Sequence, residues 1–567
     1  MRVARQLAFR VPIPASRTAP LPRWPLVLIV LSSSILLPLS LPSEFFGAAI
    51  RALGLKPDES FYWGNAMLGF VAIAPVFYAV SRAPTFGFAS ILGLIFGGIS
   101  TALSNYWLMF FQGYSTWTMG GTVLGYMGVN SLLFPFLRGF SRVSTRYRPF
   151  LFALAWCGYE YLKSVGFVGY PWGLIAYPIG SFLPLIQFVD VTGIWGLSFL
   201  MALVNALVAE AALWGHGHAG GRLLLARQAA FGVFLVACVL VYGVIRLATP
   251  IPHDTSASLL LVQQNSNPWQ QGGGANAASF TANQELTLQG LAATRPVPDL
   301  AVWSESSVTD VWVDASNRFS PPNNKLEPFF PKAGIPILFG GIYVKDYEKR
   351  QYMNAAILVS PDGRVVDTYG KMHPVPFAES IPFFEYEPVQ KFFRDVVGVW
   401  NPWFMGNRYT IFSVPLRAGG TLRFGVPICF EDAFSDLDRG FVIRGADMLV
   451  NITNDSWSNT WSSEIQHFTV ARFRAIENRR VLVRSTNGGV SGVVGPWGET
   501  WGRMPFFQAA WRAVEVPIYK EKTFTPYTRF GDWFPRLVLA LLFVVLVVNV
   551  LVVNVRPKKR GYPAPAA

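Results

Sequence analysis

Three polar residues sit where apolar runs stop. Glu305 closes Val302-Trp303-Ser304-Glu305, Lys371 follows Tyr369-Gly370, and Cys429 ends Gly425-Val426-Pro427-Ile428-Cys429. A thiol, a carboxylate and an ammonium are the parts of nucleophilic acyl chemistry. An unperturbed thiol titrates near ~8.5 and needs help to attack as a thiolate. Glu305, within hydrogen-bonding reach, would take the proton as general base and return it to the leaving group. Lys371 would stabilise the thiolate and then the oxyanion of a tetrahedral intermediate, a contribution of roughly 3–4 kcal/mol to the barrier. Of three cysteines, Cys157 and Cys238 lie in apolar runs, where a small hydrophobe is ordinary, so Cys429 is the lone thiol of the polar part of the chain.

Holding three such groups together takes a sheet. Short apolar runs at 259–263, 300–303, 335–339, 355–359, 422–426 and 448–452 read as strands, several of them buried on both faces. Pro361-Asp362-Gly363 and Gly495-Pro496-Trp497-Gly498 are placed to close hairpins. Glu464 to Asn478 reads as a helix, with Ile465, Phe468, Ala471 and Ala475 on one face. Strands alternating with helices give a layered α/β domain. Side chains at strand ends lie on the rim of the sheet, where α/β folds place their sites. A sharp turn after Cys429 would also aim backbone N–H groups at an oxyanion.

The rest of the chain is built for lipid. Apolar residues make up 52% of the 567, charged residues only 14%, and mean hydropathy is +0.34. A soluble domain carries about 25% charged residues, so this balance predicts several membrane spans. Runs near the roughly 20 residues that cross a bilayer fall at 25–41, 64–80, 87–110, 119–139, 149–165, 183–214, 229–247 and 535–555, of which 183–214 is long enough to tilt or to begin as an interfacial segment. They divide the chain into a membrane domain at 1–248 with about seven helices, a polar domain at 249–532, and a last span with a basic tail at 533–567. The net charge of +14 comes largely from clusters beside the spans: Arg2, Arg5, Arg10, Arg17 and Arg23 at one end, Arg556, Lys558, Lys559 and Arg560 at the other. Such clusters are cytoplasmic anchors. Eight spans with both basic ends in the cytoplasm put 249–532 outside the membrane. Gly169-Tyr170-Pro171-Trp172-Gly173, near Glu160 and Lys163, reads either as an interfacial kink beside lipid headgroups or as a plain loop with an aromatic belt residue.

The order Glu305, Lys371, Cys429 with these flanks resembles the nitrilase superfamily, whose domain is an αββα sandwich. Further motifs narrow the likeness: Val375-Pro376-Phe377-Ala378-Glu379, Phe430-Glu431, Asn454-Asp455-Ser456-Trp457, Gln466-His467-Phe468, Arg484-Ser485-Thr486-Asn487-Gly488, and, in the membrane part, 169–173 and the stretch from Asp190 to Gly196. Together they resemble the apolipoprotein N-acyltransferase family over about residues 20–555. The resemblance implies an αββα domain joined to membrane helices, with Cys429 as nucleophile, Glu305 as base and Lys371 as oxyanion partner. It implies that a phospholipid ester acylates the thiol, and that the α-amino group of a diacylglyceryl-cysteine apolipoprotein then attacks the thioester. It implies site support from Glu379, Glu431 and Phe430, the last standing where the family often has Tyr, and substrate contacts from Trp457, Trp269 and Asn454. The Phe- and Trp-rich stretch 380–410 would be a lid or a membrane-dipping arm. A monomer in the bacterial inner membrane, facing the periplasm, is the expected form.

Other readings use the same residues. A Cys-His-acid hydrolase would take His373 or His467 as base. A membrane-tethered amidase would use water as second acceptor, although seven spans are excessive for a tether. A transporter or scaffold would need more intramembrane charge than this chain has. Nucleic-acid binding is set aside because the basic residues cluster at span ends. No closely spaced Cys/His cluster predicts a metal, and no Gly-rich phosphate loop predicts a nucleotide cofactor.

Overall fold

A computed structural model describes residues 22–56, 62–216, 221–270, 273–322, 324–397, 403–519 and 524–555. The basic clusters before Arg23 and after Val555, and positions 398–402 of the aromatic stretch, lie outside these. Among the described residues six helices are long and apolar enough to cross a membrane: Arg23–Ser40, Phe86–Ser104, Ser115–Val143, Ile194–Gly215, Arg222–Ala248 and Trp533–Leu551.

One expected span is broken, one is too short to count with the six, and one begins in short turns before its long helix. The run 64–80 is broken into Ala66–Gly69 and Ala74–Arg82. Pro75, in the first turn of the second piece, has no N–H to continue a helix. The buried Asn205 fills the break. Its side-chain amide donates to the Gly69 carbonyl at 2.9 Å, and its oxygen accepts from Ile73 and Ala74 N–H at 2.9 and 3.0 Å. Backbone groups freed at membrane depth need such a partner. The run 149–165 is a 17-residue helix, Arg148–Ser164, whose Arg148 pairs with Glu210 at 2.7 Å. It packs on the last helix, where a Cβ on Gly158 would sit 2.9 Å from Leu542. The run 183–214 is short turns at Leu183–Ile186 and Val189–Thr192, then Gly193 at φ +63°, and only then the long helix. Glycine is required at this kink, because a Cβ would lie 2.8 Å from the Tyr527 ring.

The polar part is a sandwich of an eight-stranded and a six-stranded sheet. In the first, His253–Gln263, Leu300–Trp303 and Ile337–Asp346 run parallel, and Gln351–Val359 and Val365–Gly370 follow as an antiparallel meander turning at Gly363. In the second, Thr421–Gly425, Met448–Thr453 and Val481–Thr486 are parallel. Helix Gly273–Ala293 covers the first sheet, and helices Ser435–Ile443 and Trp461–Asn478 cover the second. This is the expected αββα layering. The sheets are pinned by Ser485, whose hydroxyl lies 3.1 Å from the Val262 carbonyl and 2.9 Å from that of Val302. Helix Gly273–Ala293 was not among the expected elements because it lacks a clean apolar period, whereas strand Ala510–Tyr519, also unexpected, carries an alternation at Val514, Val516 and Ile518 that marks it.

One apolar core runs without interruption from the membrane helices into the second sheet. At the junction Arg479, in the left-handed cap of helix Trp461–Asn478, is fully buried. It reaches Asp190 at 2.7 and 3.0 Å, the Gln187 side chain at 2.6 Å and the Pro496 carbonyl at 2.8 Å. Removing one member of a buried charged pair costs roughly 3–5 kcal/mol. Arg479→Ala is therefore expected to lower the melting temperature of the detergent-solubilised protein sharply, with Arg479→Lys recovering only part. An unchanged melting temperature would show that the junction does not depend on this pair.

Candidate active site

The ends of strands Leu300–Trp303, Val365–Gly370 and Met448–Thr453 and the turn after Thr421–Gly425 meet at one edge of the sandwich. Glu305 follows strand Leu300–Trp303 and is 4% exposed. The neighbouring strand passes so close that a Cβ on Gly340 would lie 2.5 Å from the Glu305 Cα. One Glu305 carboxylate oxygen accepts from the Asn354 amide at 2.7 Å and lies 3.4 Å from Lys371 Nζ; the other accepts the Asn454 N–H at 2.8 Å. Lys371, next after strand Val365–Gly370, is 3% exposed, and its ammonium is 2.8 and 3.0 Å from the oxygens of Glu379. Glu379 also accepts from the Val375 N–H at 2.7 Å and from Asn354 at 3.2 Å. Asn354 thus touches both carboxylates. It was missed in the sequence, where its signal was a lone amide inside a buried apolar strand.

Cys429 opens the short turn Cys429–Ala433 at φ +52°. A non-glycine residue there stores about 1–3 kcal/mol of strain, which the surroundings must hold. Asn451 helps by donating to the Pro427 and Cys429 carbonyls at 3.1 and 3.3 Å. The thiol sits in the field of Glu305 and Lys371. Burial pushes its pKa well above the ordinary thiol range, Glu305 pushes in the same direction, and Lys371 pulls it back. For Lys371, burial works against the charge, but Glu379, Glu305 and Cys429 together outweigh it and raise its pKa. At rest the site therefore keeps a protonated thiol beside a charged ammonium.

Glu431 is wholly buried, and its carboxylate is taken up by N–H groups rather than by the Lys371 ammonium. It accepts from Met372, His373 and Ile428 N–H at 2.6, 2.9 and 2.7 Å, and from the Tyr369 hydroxyl at 3.0 Å. It thereby ties the turn carrying Cys429 to the loop carrying Lys371. Burial raises its pKa to about 7 against the pull of these donors.

Phe430 has no hydroxyl to offer and stacks on Trp172, with centroids 5.5 Å apart and planes 17° apart. Trp172 in turn stacks on Tyr170 at 5.3 Å, so the 169–173 stretch is a buried wall joining membrane helices to the Cys429 turn. Trp269 donates its ring N–H to the Trp457 carbonyl at 2.8 Å, and the two rings lie 5.0 Å apart. Phe111 and Tyr114, from the membrane part, face Trp269 at 6.2 and 6.3 Å. Asn454 acts through its backbone on Glu305, while its side chain is held by Asn487 at 3.0 Å. In the 380–410 stretch Phe383, Tyr386 and Phe392 are exposed, and Phe392 meets Trp117 at 6.0 Å.

His467 has no ring nitrogen left for the thiol. Both ring nitrogens of His467 face carboxylates, Asp455 at 2.6 Å and Asp432 at 2.8 Å. His373 lies against the Phe434 ring at 3.8 Å. Among the described residues no group of three His, Cys, Asp or Glu could hold a metal.

Residues 47–207 match the family model of the apolipoprotein N-acyltransferase N-terminal domain, and residues 261–516 match that of carbon-nitrogen hydrolase. The chain is 36% identical over 524 residues to Apolipoprotein N-acyltransferase 2 of Treponema denticola, covering 91% of this chain and 97% of that protein. It is 35% identical over 526 residues to Apolipoprotein N-acyltransferase 2 of Treponema pallidum, covering 87% and 92%. It is 31% identical over 510 residues to the Apolipoprotein N-acyltransferase of Borreliella burgdorferi, covering 88% and 94%. Among solved structures, an amidase of the nitrilase superfamily from Nesterenkonia AN1 aligns at 16% identity over 52% of this chain and 100% of its own, with a TM-score of 0.35. With both parts matched by family models and relatives aligned along nearly their whole lengths, the chain belongs to the apolipoprotein N-acyltransferase family of multi-pass membrane enzymes.

Proposed function

We propose that this chain moves an acyl chain from a membrane phospholipid to the α-amino group of the diacylglyceryl-cysteine of apolipoproteins, through a thioester on Cys429. The observation that carries the reading is the meeting of Cys429, Glu305 and Lys371 at a sheet edge walled by aromatic rings from the membrane helices. Glu305 takes the Sγ proton as the sulfur attacks the ester carbonyl, and Lys371 faces the oxyanion. Collapse expels the lysophospholipid alkoxide, which recovers the proton from Glu305. The incoming amine then adds to the thioester carbonyl, gives its proton to Glu305, and the amide forms as Cys429 leaves and is reprotonated.

The charge balance suits this cycle. Two carboxylates, Glu305 and Glu379, share one ammonium, so a proton arriving on Glu305 removes a surplus negative charge. Glu379 and Glu431 hold the loops in register, and Trp269 and Trp457 line the acyl approach. The exposed aromatic residues of 380–410 form an arm that meets lipid or covers the site. In this reading 1–248 is the membrane domain, 249–532 the catalytic domain facing the periplasm, and 533–567 the final span with a cytoplasmic tail. The enzyme sits in the inner membrane as a monomer and calls on no cofactor.

The direct test incubates purified protein with phospholipid and looks for an acyl mass on the Cys429 peptide that disappears when a diacylglyceryl peptide is added. Cys429→Ala is expected to show neither step, and normal turnover by that variant would end the reading. Lys371→Met is expected to slow acylation roughly 10²–10³-fold. Glu305→Gln should give opposite signs in two assays. Removing that negative charge lowers the thiol pKa, so iodoacetamide labelling of Cys429 shifts to lower pH, while acyl transfer is lost with the base. Lys371→Met moves the labelling profile to higher pH. Unmoved profiles in both variants would show that these charges do not control the thiol.

A further inference from the structure

Behind the thiol, four charged side chains from four separate elements close a ring. Asp432 belongs to the turn Cys429–Ala433, Asp455 follows Asn454, His467 is on helix Trp461–Asn478, and Arg484 is on strand Val481–Thr486. His467 Nε2 lies 2.8 Å from Asp432 Oδ1, and its Nδ1 lies 2.6 Å from Asp455 Oδ1. Arg484 closes the circuit, with Nη1 on the other oxygen of Asp432 and Nη2 on the other oxygen of Asp455 at 3.2 Å. Asp432 and Arg484 are fully buried, and His467 is 6% exposed. A ring nitrogen facing each carboxylate requires both to donate, which makes His467 an imidazolium. Burial opposes its charge, but Asp455 and Asp432 outweigh that and raise its pKa to about 10. Two positive and two negative members then balance. The adjacent Glu464, fully buried, has its pKa raised well above the carboxylate range by burial and by Asp455.

The two anions stand at telling places. Asp432 is three residues past Cys429, in the same strained turn. Asp455 is one residue past Asn454, whose N–H holds Glu305. The cations span the gap between these two segments, and the Trp172 ring packs against His467 at 5.5 Å. As glue alone the ring is a poor device, since buried ionic groups are often replaced by apolar ones without loss of stability. Ionic rings do fix distance and direction, which apolar packing does less sharply.

We propose that Asp432, Asp455, His467 and Arg484 are positioning residues that set the distance between the nucleophile and its base. This rests on Cys429 and Glu305 having those roles. None of the four touches substrate; each acts through the backbone of the turn or of the Glu305 anchor.

The test uses the full chain in detergent with phospholipid and a diacylglyceryl peptide. His467→Gln combined with Asp455→Asn removes one charge of each sign and leaves Asp432 paired with Arg484, so buried charge stays balanced. Arg484→Lys keeps the charge but loses the fork. For each, turnover per folded molecule is counted by iodoacetamide titration of Cys429, beside the melting temperature. A misplacement near 1 Å costs about 10²-fold in rate. The expected result is a loss of kcat of that order, with KM for both substrates unchanged and the thiol still alkylated. Folded variants turning over at the wild-type rate would overturn the proposal. So would failure of both variants to accumulate as folded protein, which would make the ring fold support only. Failure of the underlying roles is distinguishable, because Glu305→Gln and Cys429→Ala would then keep their activity.

Discussion

A lysine ammonium almost out of water is the constraint around which the site is arranged. Lys371 is 3% exposed, and an ion taken from water into such a place has to be held by opposite charge and by hydrogen bonds. Glu379 and Glu305 supply the charge, and Asn354 holds both of them in place. Each of these partners belongs to a different segment, so satisfying one ammonium fixes where strand ends and loops stop. Glu431 extends the same logic with backbone donors, drawing the Lys371 loop onto the Cys429 turn. The geometry of the site and its local stability are here the same set of contacts.

The membrane helices are part of that arrangement rather than an anchor for it. Trp172 stacks on Phe430, the residue after Cys429, and Phe111 and Tyr114 back the Trp269–Trp457 pair. A ring without a hydroxyl suits position 430, which makes a face-on contact with an indole. Arg479 and Asp190 lock the two parts together below the site. The thiol thus lies at the seam between the membrane helices and the sheets.

Much of this was legible in the sequence, for physical reasons. Buried parallel strands write themselves as unbroken apolar runs, and the polar residue that ends each run marks the rim, which is how Glu305, Lys371 and Cys429 stood out. Gly363 and Gly498, both at positive φ, closed the hairpins they predicted. What was hidden depends on partners distant in sequence. Asn205 looks like a stray polar residue in an apolar helix until the break at residues 69–74 is seen beside it. The 183–214 run has the hydropathy of one span, and only its contacts with the α/β part explain why Gly193 bends it. The 169–173 stretch left a headgroup-facing kink and a plain loop open, whereas it is an internal wall. His467 carried a motif but no hint that two aspartates and an arginine would close on it.

The packing of the last helix against Arg148–Ser164 has a consequence for how the molecule is made. Gly158 offers a flat patch that Leu539 and Leu542 fill, and these residues emerge from the ribosome only after the whole sandwich has been synthesised. The bundle that supports Trp172 therefore stays open on one flank throughout translation. Early helices wait in the bilayer with a notch unfilled until the final stretch of chain is made. Assembly of the bundle is thus a sealing event, in which that stretch completes the platform on which the Cys429 turn rests.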